Sequence, residues 1–217
     1  MSMSAGRVLS INIAGTFKSH NWLDGENRTG IDKKSVEGLV DFSNDRVAGD
    51  HVSDTTNHGG YDKAIYSYAR EDAIWWESII GKEIAYGQFG ENLTTQGVDI
   101  TGAIIGERWR IGEVLLEISE PRIPCRIFAG FWDRPTLIKE FTEANRPGTY
   151  LRILEEGMFE RKTHIDVIYQ PDHGITVGDI FAARSGTREK IAEIANVQEL
   201  SLEYKQWANR VLESLSK

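Results

Sequence analysis

The chain is poor in the residues that staple small proteins together and in the patterns that direct a chain into a membrane. It holds one cysteine, Cys125, among 217 residues, so no internal disulfide can form. Residues 1–8 contain no apolar stretch of signal-peptide length, and the expectation is a reducing, cytoplasmic setting. No apolar run approaches the ~20 residues that a membrane helix requires. Prolines number only 5, and no repeat of solenoid length or low-complexity tract divides the chain. Basic residues are outnumbered 25 to 33, a formal charge of −8 at pH 7. Such a balance repels a polyanion unless one face is locally basic, which disfavours general nucleic-acid binding. Catalytic signatures are missing too: there is no Gly-x-Gly-x-x-Gly after a strand, no phosphate-binding loop ending in Gly-Lys-Ser/Thr, and no Gly-x-Ser-x-Gly elbow.

What is present is an ordinary globular composition, 40% hydrophobic and 27% charged. A chain this long buries roughly 70% of its unfolded surface, enough for a core without metal or disulfide. Alternation or β-branched and aromatic enrichment marks 8–13, 35–41, 63–68, 107–111, 114–119, 150–154, 164–169 and 180–183 as strands. Helical spacing marks 70–80, 134–144, 187–195 and 201–215. The bulk is therefore mainly β, a barrel or sandwich with peripheral helices. The stretch 15–30, rich in Gly, Asn and Asp, is too polar for a core and is a candidate ligand-binding edge. The pattern turns purely helical after Arg184, which suggests a β domain over 7–184 and a helical extension over 185–217. In the last helix Tyr204, Trp207, Ala208, Val211, Leu212 and Leu215 share one face; that stripe packs on the barrel or, less commonly for such stripes, docks a partner.

Four stretches can carry chemistry. In Glu120-Pro-Arg-Ile-Pro-Cys-Arg126 two prolines stiffen the backbone around the thiol, and Arg122 and Arg126 favour a thiolate, a nucleophile and soft metal ligand. A lone cysteine is equally a small buried hydrophobe. In Asn57-His-Gly-Gly-Tyr-Asp-Lys63 the paired glycines Gly59 and Gly60 admit a planar ligand or offer N–H groups to an anion, with His58 and Lys63 beside them. Read more plainly, the pair is a hairpin turn and Lys63 a solvated charge. In the stretch 88–97, Asn92, Thr94 and Thr95 either bond a heterocycle or cap turns. In the strand around Tyr150, Arg152 and Leu154 share a face with it, and a buried arginine there needs a glutamate or a phosphate.

Taken in order, Thr29-Gly-Ile-Asp-Lys33, Gly49-Asp50, His58-Gly-Gly-Tyr-Asp-Lys-Ala64, Phe89-Gly-Glu-Asn-Leu-Thr-Thr95, Glu120-Pro-Arg-Ile-Pro-Cys125, Tyr150-Leu-Arg-Ile-Leu154 and Gly178-Asp179 resemble the MOSC domain, in particular its stand-alone YiiM-type members. The resemblance covers roughly 7–184, and 200–212 resembles the short helical C-terminal extension of that subgroup. It implies a MOSC-type distorted β-barrel that binds the molybdenum cofactor and reduces N-hydroxylated compounds, hydroxylamino-purines and amidoximes among them, by oxygen-atom removal. It also implies a separate flavin or iron–sulfur reductase as electron donor, and Cys125 as the molybdenum ligand. On this reading Lys33, Ser35 or Arg152 meets the cofactor phosphate, His58, Gly59, Gly60 and Asn92 meet the pterin edge, and Tyr66 or Phe89 forms an apolar wall. Lys63, Thr94 and Arg122 complete the expected set. The alternative is a carrier or binding module that uses Cys125 as a persulfide or as a metal ligand for cofactor handover. Ser35 and Ala69 stand where the family often has proline.

Overall fold

In the computed structural model, residues 3–16, 18–19, 28–52 and 58–215 are described. In chain order the strands are β1 (Met3–Ile13), β2 (Lys18–Ser19), β3 (Arg28–Thr29), β4 (Lys34–Val36), β5 (Val40–Ser43), β6 (Arg46–Val47), β7 (Ile65–Ala69), β8 (Leu93–Gln96), β9 (Arg108–Ile111), β10 (Val114–Pro121), β11 (Thr149–Glu155), β12 (Gly157–Phe159) and β13 (His164–Tyr169). Helices are α1 (Arg70–Ile80), α2 (Arg126–Phe131), α3 (Leu137–Ala144), α4 (Val177–Arg184), α5 (Ile191–Ala195) and α6 (Leu202–Leu215).

Strands run β13-β9-β10-β11-β7-β8-β1, and β1 pairs back onto β13, which closes a seven-stranded barrel. β7 and β8 are its parallel pair and the other neighbours are antiparallel. β1 is long enough to serve three partners, β13 at Met3 to Arg7, β8 at Arg7 to Ile11 and β4 at Ile11 to Ile13. β5, β6 and β12 form a small separate sheet.

Strand parity decides what lies inside. In β7, Ile65 and Ala69 join the barrel core with Leu116, Ile118, Trp109 and Leu151, whereas Tyr66 and Tyr68 point to a second, aromatic cluster. Successive side chains leave a strand on opposite faces, so one strand feeds both layers. The outer cluster is roofed by α1, α2 and α3: Trp76 stacks on Phe141 with centroids 5.6 Å apart, and Phe141 meets Phe128 edge-on at 5.1 Å. Each such pair contributes about 0.5–1.5 kcal/mol beyond its buried area. Gly148, at φ +68, sits where β11 meets β7; a Cβ there would come within 2.6 Å of Ser67 O. No other residue fits that crossing without strain.

Sequence periodicity recovers β1, β7, β9, β10, β11, β13, α1 and α6 to within a few residues, while the expected strand 35–41 divides into β4 and β5. Residues 180–183 are helical, not extended. Thr176 and Asp179 form a reciprocal capping box at the start of α4, and the helix is buried at Val177, Ile180, Phe181 and Ala183. An apolar run buried on most sides carries no helical stripe and so reads like a strand. β8 (Leu93–Gln96) runs through the polar stretch 88–97, and α2 (Arg126–Phe131) is a helix that sequence periodicity does not reveal. Much of the polar loop 15–30, and Asn57, fall outside the described residues.

The C-terminal stripe packs inward except at its end, where Leu215 is exposed. Ile191, Ile194, Val197, Leu200, Tyr204 and Ala208 belong to the same buried cluster as the barrel interior, and Trp207, Val211 and Leu212 pack against it. A chain truncated after Arg184 loses those contacts, each worth about 1.5–3 kcal/mol for a large apolar side chain, against a typical total stability of about 5–15 kcal/mol. The truncated protein is expected to lack a cooperative thermal transition by circular dichroism; a sharp transition at the full-length temperature refutes this.

Candidate functional site

A cavity of about 570 Å³ opens where the β4 approach, the residues after β6, the turn before β7 and the β10–α2 junction converge. Cys125 lines it from the residue before α2, with extended backbone at φ −128 and ψ 172, and is half-buried. Pro121 ends β10 and Pro124 precedes the thiol, so the segment can neither extend the strand nor begin the helix sooner. Gly30 allows the opposite wall to close, since a Cβ there would lie 2.2 Å from His51 O.

Arg122 is the most unusual group in this wall. It is 4% exposed, its guanidinium lies 5.2 Å from the Tyr66 ring centre and 4.7 Å from that of Phe128, and its Nη1 has no hydrogen-bond partner. Burial works against its charge, yet the surrounding Tyr66, Cys125 and Tyr150 groups outweigh that and hold it above its ordinary pKa. A buried cation in this state calls for an anion. Burial likewise pushes the Tyr66 and Tyr150 hydroxyls far above their usual range. The Tyr150 hydroxyl shares a 2.8 Å hydrogen bond with His58 Nδ1.

Lys33 is committed to the protein. Its Nζ donates to both Asp50 carboxylate oxygens at 2.5 Å, Asp50 Oδ1 also accepts from Ala14 N at 2.8 Å, and Asp50 Oδ2 accepts from Asn92 Nδ2 at 2.8 Å. Burial lowers the Lys33 pKa although Asp50 opposes the shift. Lys63 Nζ lies 3.3 Å from Glu120 Oε1 and 3.0 Å from Glu203 Oε2. Burial lifts the Glu120 carboxyl above the usual carboxylate range.

Of the expected residues, Lys33, His58, Gly59, Lys63, Tyr66, Asn92, Arg122 and Cys125 line this one cavity. Ser35, Gly60, Thr94 and Arg152 do not. Ser35 is exposed and bonds to Ser10 and Asn12. Thr94 donates to Glu91 Oε1 at 2.7 Å and accepts from Asn12 Nδ2 at 3.0 Å, which makes it part of the loop's internal frame. Phe89 is buried in the aromatic cluster. Arg152 donates to Glu117 Oε1 at 2.8 Å and Asp62 Oδ1 at 2.6 Å, so two carboxylates occupy it in place of the expected phosphate. Sequence reasoning passed over Tyr150 and Asp50 as site residues. Both stand in the ordered motifs, Tyr150 at the head of Tyr150–Leu154 and Asp50 in Gly49-Asp50, and that membership is the signal that could have found them; their roles depend on His58 and on Lys33 and Asn92, which lie far away in sequence.

A smaller cavity of about 240 Å³ adjoins the first and shares His58, Lys63, Cys125 and Tyr150 with it. Among the described residues, no group of three or more His, Cys, Asp or Glu side chains is arranged to hold a metal ion, and no helix is long and apolar enough to cross a membrane.

The structure is a closed barrel protein whose outer wall carries a cation-lined pocket with one thiol beside a buried guanidinium that no carboxylate meets. The family model for the MOSC domain matches residues 54–181, more than half of the chain, and the chain belongs to that family. It is 30% identical over 170 residues to the uncharacterized protein YflK of Bacillus subtilis, covering 78% of this chain and 76% of that one. It is 31% identical over 154 residues to a protein of Gibberella moniliformis named "Reductase", covering 69% of this chain but 27% of that longer protein. The crystal structure of YiiM from Geobacillus stearothermophilus superposes with a TM-score of 0.78 at 25% identity, covering 94% of this chain and 98% of that one.

The ion triad at Arg152 yields a direct test. Removing one partner from a buried pair costs about 3–5 kcal/mol, so Arg152→Ala is expected to lower the melting temperature markedly while ligand affinity of the folded fraction stays near wild type. Unchanged stability, measured by denaturant unfolding, would show that Glu117 and Asp62 do not depend on that charge.

Proposed function

We propose that the protein is a molybdenum-cofactor-dependent reductase that converts N-hydroxylated compounds, amidoximes and hydroxylamino-purines among them, to the corresponding amines or amidines. The observation that carries this reading is the placement of Cys125 and of Arg122, a buried cation with no carboxylate and with Nη1 left without a partner, in the wall of one 570 Å³ cavity. The residues suit the cofactor: a thiolate is a fitting donor to a thiophilic metal, and a buried guanidinium fits its anionic groups. A metal delivered on its own organic ligand needs only one protein donor, which agrees with Cys125 standing, among the described residues, without a cluster of other ligating side chains.

When bound, the cofactor supplies a two-electron redox metal with affinity for the oxygen of an N–OH group. Cys125 holds and tunes that metal rather than attacking the substrate. Arg122 would donate to the anionic part of the cofactor, whereas Asn92 lines the cavity with its amide committed to the frame: Nδ2 donates to Asp50 Oδ2 and Asn12 O, and Oδ1 accepts from Tyr66 N. The net reaction, R–NHOH plus two electrons and two protons giving R–NH2 and water, requires proton donors. The Tyr150 hydroxyl and His58 Nδ1, 2.8 Å apart beside Cys125, are the pair that holds a proton there. Electrons come from a separate flavin or iron–sulfur reductase, and a half-buried free thiol suits a reducing, cytoplasmic compartment.

Protein made in a host that assembles the cofactor is expected to carry molybdenum and to turn over benzamidoxime with an artificial reductant. A carrier of sulfur would instead show a thiol adduct one sulfur atom heavier and no turnover. Cys125→Ser replaces a soft donor by a hard, protonated hydroxyl, so turnover and thiolate charge-transfer absorption should be lost with the fold intact. A Cys125→Ser variant that melts early yet reduces substrate at the wild-type rate would sink the ligand assignment. Arg122→Gln should lower molybdenum content per chain, since a neutral amide cannot replace the charge; unchanged content would mean the arginine serves only the aromatic packing.

A further inference from the structure

Among the described residues, Glu120 differs from the other buried glutamates in having an oxygen without a partner. Glu91 accepts from Gly87 N, Phe89 N and Thr94 Oγ1, Glu107 from Trp109 Nε1 and Gln170 Nε2, and Glu117 from Arg108 and Arg152, so each of these uses both oxygens. Glu120 is 1% exposed, and its Oε1 lies 3.3 Å from Lys63 Nζ. Its Oε2 has no hydrogen-bond partner, although the Ser201 hydroxyl faces the carboxyl. A buried carboxylate that only secures a fold has both oxygens answered, so this one calls for a further role.

The strand turns the carboxyl toward the site. In β10, Ile118 pairs with the inward Leu151 and Glu120 pairs with the outward Tyr150, so one extra residue lies between the two pairs. Residues 118 and 120 of a regular strand share a face; the bulge takes Glu120 off the core face and sets it beside Tyr150. Both line the smaller cavity, together with His58, Lys63 and Cys125. Its volume of about 240 Å³ is several times the ~30 Å³ that one water takes in the liquid.

The groups around Glu120 differ in whether they release a proton. Burial works against the Lys63 charge, yet Glu120 and Glu203 outweigh it and hold the lysine above its ordinary pKa. Burial lifts the Tyr150 and Tyr204 hydroxyls far above their usual range. Arg184 lines the cavity from α4, and a guanidinium keeps its proton. Glu203, with 65% of its side chain exposed, stands at the solvent side of Lys63. Burial, with Glu203 adding to it and Ser201 and Lys63 opposing it, lifts the Glu120 carboxyl above the usual carboxylate range, nearer to neutral pH. The reduction written above uses two protons for each N–O bond broken, and the Tyr150–His58 pair holds one of them.

The geometry points to Glu120 as the second proton store of the site, whose Oε2 takes up a proton from solvent and passes it through water in the smaller cavity to the Tyr150–His58 pair. This rests on the reductase reading. As two electrons from the donor break the N–O bond, one proton goes to the oxygen, which leaves as water, and one to the nitrogen. Glu120 acts through Tyr150 and His58, so it is a positioning residue for the proton and not a catalytic one.

The test uses full-length wild type, Glu120→Gln and Glu120→Asp, with the melting temperature of each recorded. In cofactor-free protein, infrared titration is expected to show a protonated-carboxyl stretch that persists above the ordinary carboxylate range in wild type and is missing from Glu120→Gln. In cofactor-loaded protein with benzamidoxime and an artificial reductant, kcat of Glu120→Gln should fall about 100-fold with KM unchanged, the lower end of what a positioned proton donor contributes. Only the acid form of Glu120 donates, so wild-type kcat should decline as pH rises through its pKa. Glu120→Gln should lack that limb, and Glu120→Asp should keep it at a shifted pH with a lower kcat. Absence of the infrared band overturns the proposal whatever the turnover, and so does a limb that survives in Glu120→Gln. If Glu120→Gln does not fold, Glu120→Asp decides: a limb at the wild-type pH with wild-type kcat overturns the proposal. Loaded wild type that reduces no N-hydroxylated compound, with the infrared band present, would overturn the reductase reading instead.

Discussion

Closure of the sheet through β1 gives every barrel strand an inside and an outside, and the candidate site is built on the outside. In β7 and β11 the inward residues, among them Ile65, Leu151 and Ile153, complete the core. The outward residues include Tyr66 and Tyr150, which are register partners with ring centres 5.4 Å apart. A slip of one residue in either strand would exchange the two sets, and burial of both faces makes that slip costly. Once those rings face outward beneath α2, Arg122 has an aromatic surface to lie on, and the turn enforced by Pro121 and Pro124 delivers Cys125 beside it.

Electrostatics then distinguishes the cations from one another. An acidic chain of net charge −8 nevertheless brings Lys33, Lys63, Arg122 and Arg126 to one cavity. Lys33 and Lys63 are answered by carboxylates, and so is Arg152 outside the cavity. Arg122 is buried without one. The paired cations hold loops and strands in position, and Arg122 lies on aromatic rings in their place. Residue type alone does not make this distinction, because it depends on which carboxylates the fold brings within reach.

The helical end of the chain is continuous with the barrel in packing, since Ile194, Leu200 and Tyr204 are buried in the barrel's own cluster. Two contacts carry it toward the site. Glu203 reaches Lys63, and the Tyr204 hydroxyl reaches Pro121. The wall of the smaller cavity is therefore made by elements at opposite ends of the fold's construction, and its shape responds to both.

By itself the sequence determined what short-range physics controls. Period-two alternation located most barrel strands, three-and-four spacing located α1 and α6, and the Pro-flanked thiol with its adjacent arginines marked a segment that lines the larger cavity. The ordered set of motifs also named the residues of the cavity wall, and eight of them meet in one place. Only the tertiary structure decided the roles of the charged residues. Whether Arg152 meets a phosphate or a glutamate rests on Glu117, 35 residues away. Whether Lys33 is free rests on Asp50, 17 residues away and beyond a separate small hairpin. The helical state of 180–183 likewise needed burial on several sides, which masks the amphipathic stripe that sequence reading depends on. Local pattern reflects each residue's preference for a face or a turn, but pairing of buried charges depends on which distant side chains share the same low-dielectric space.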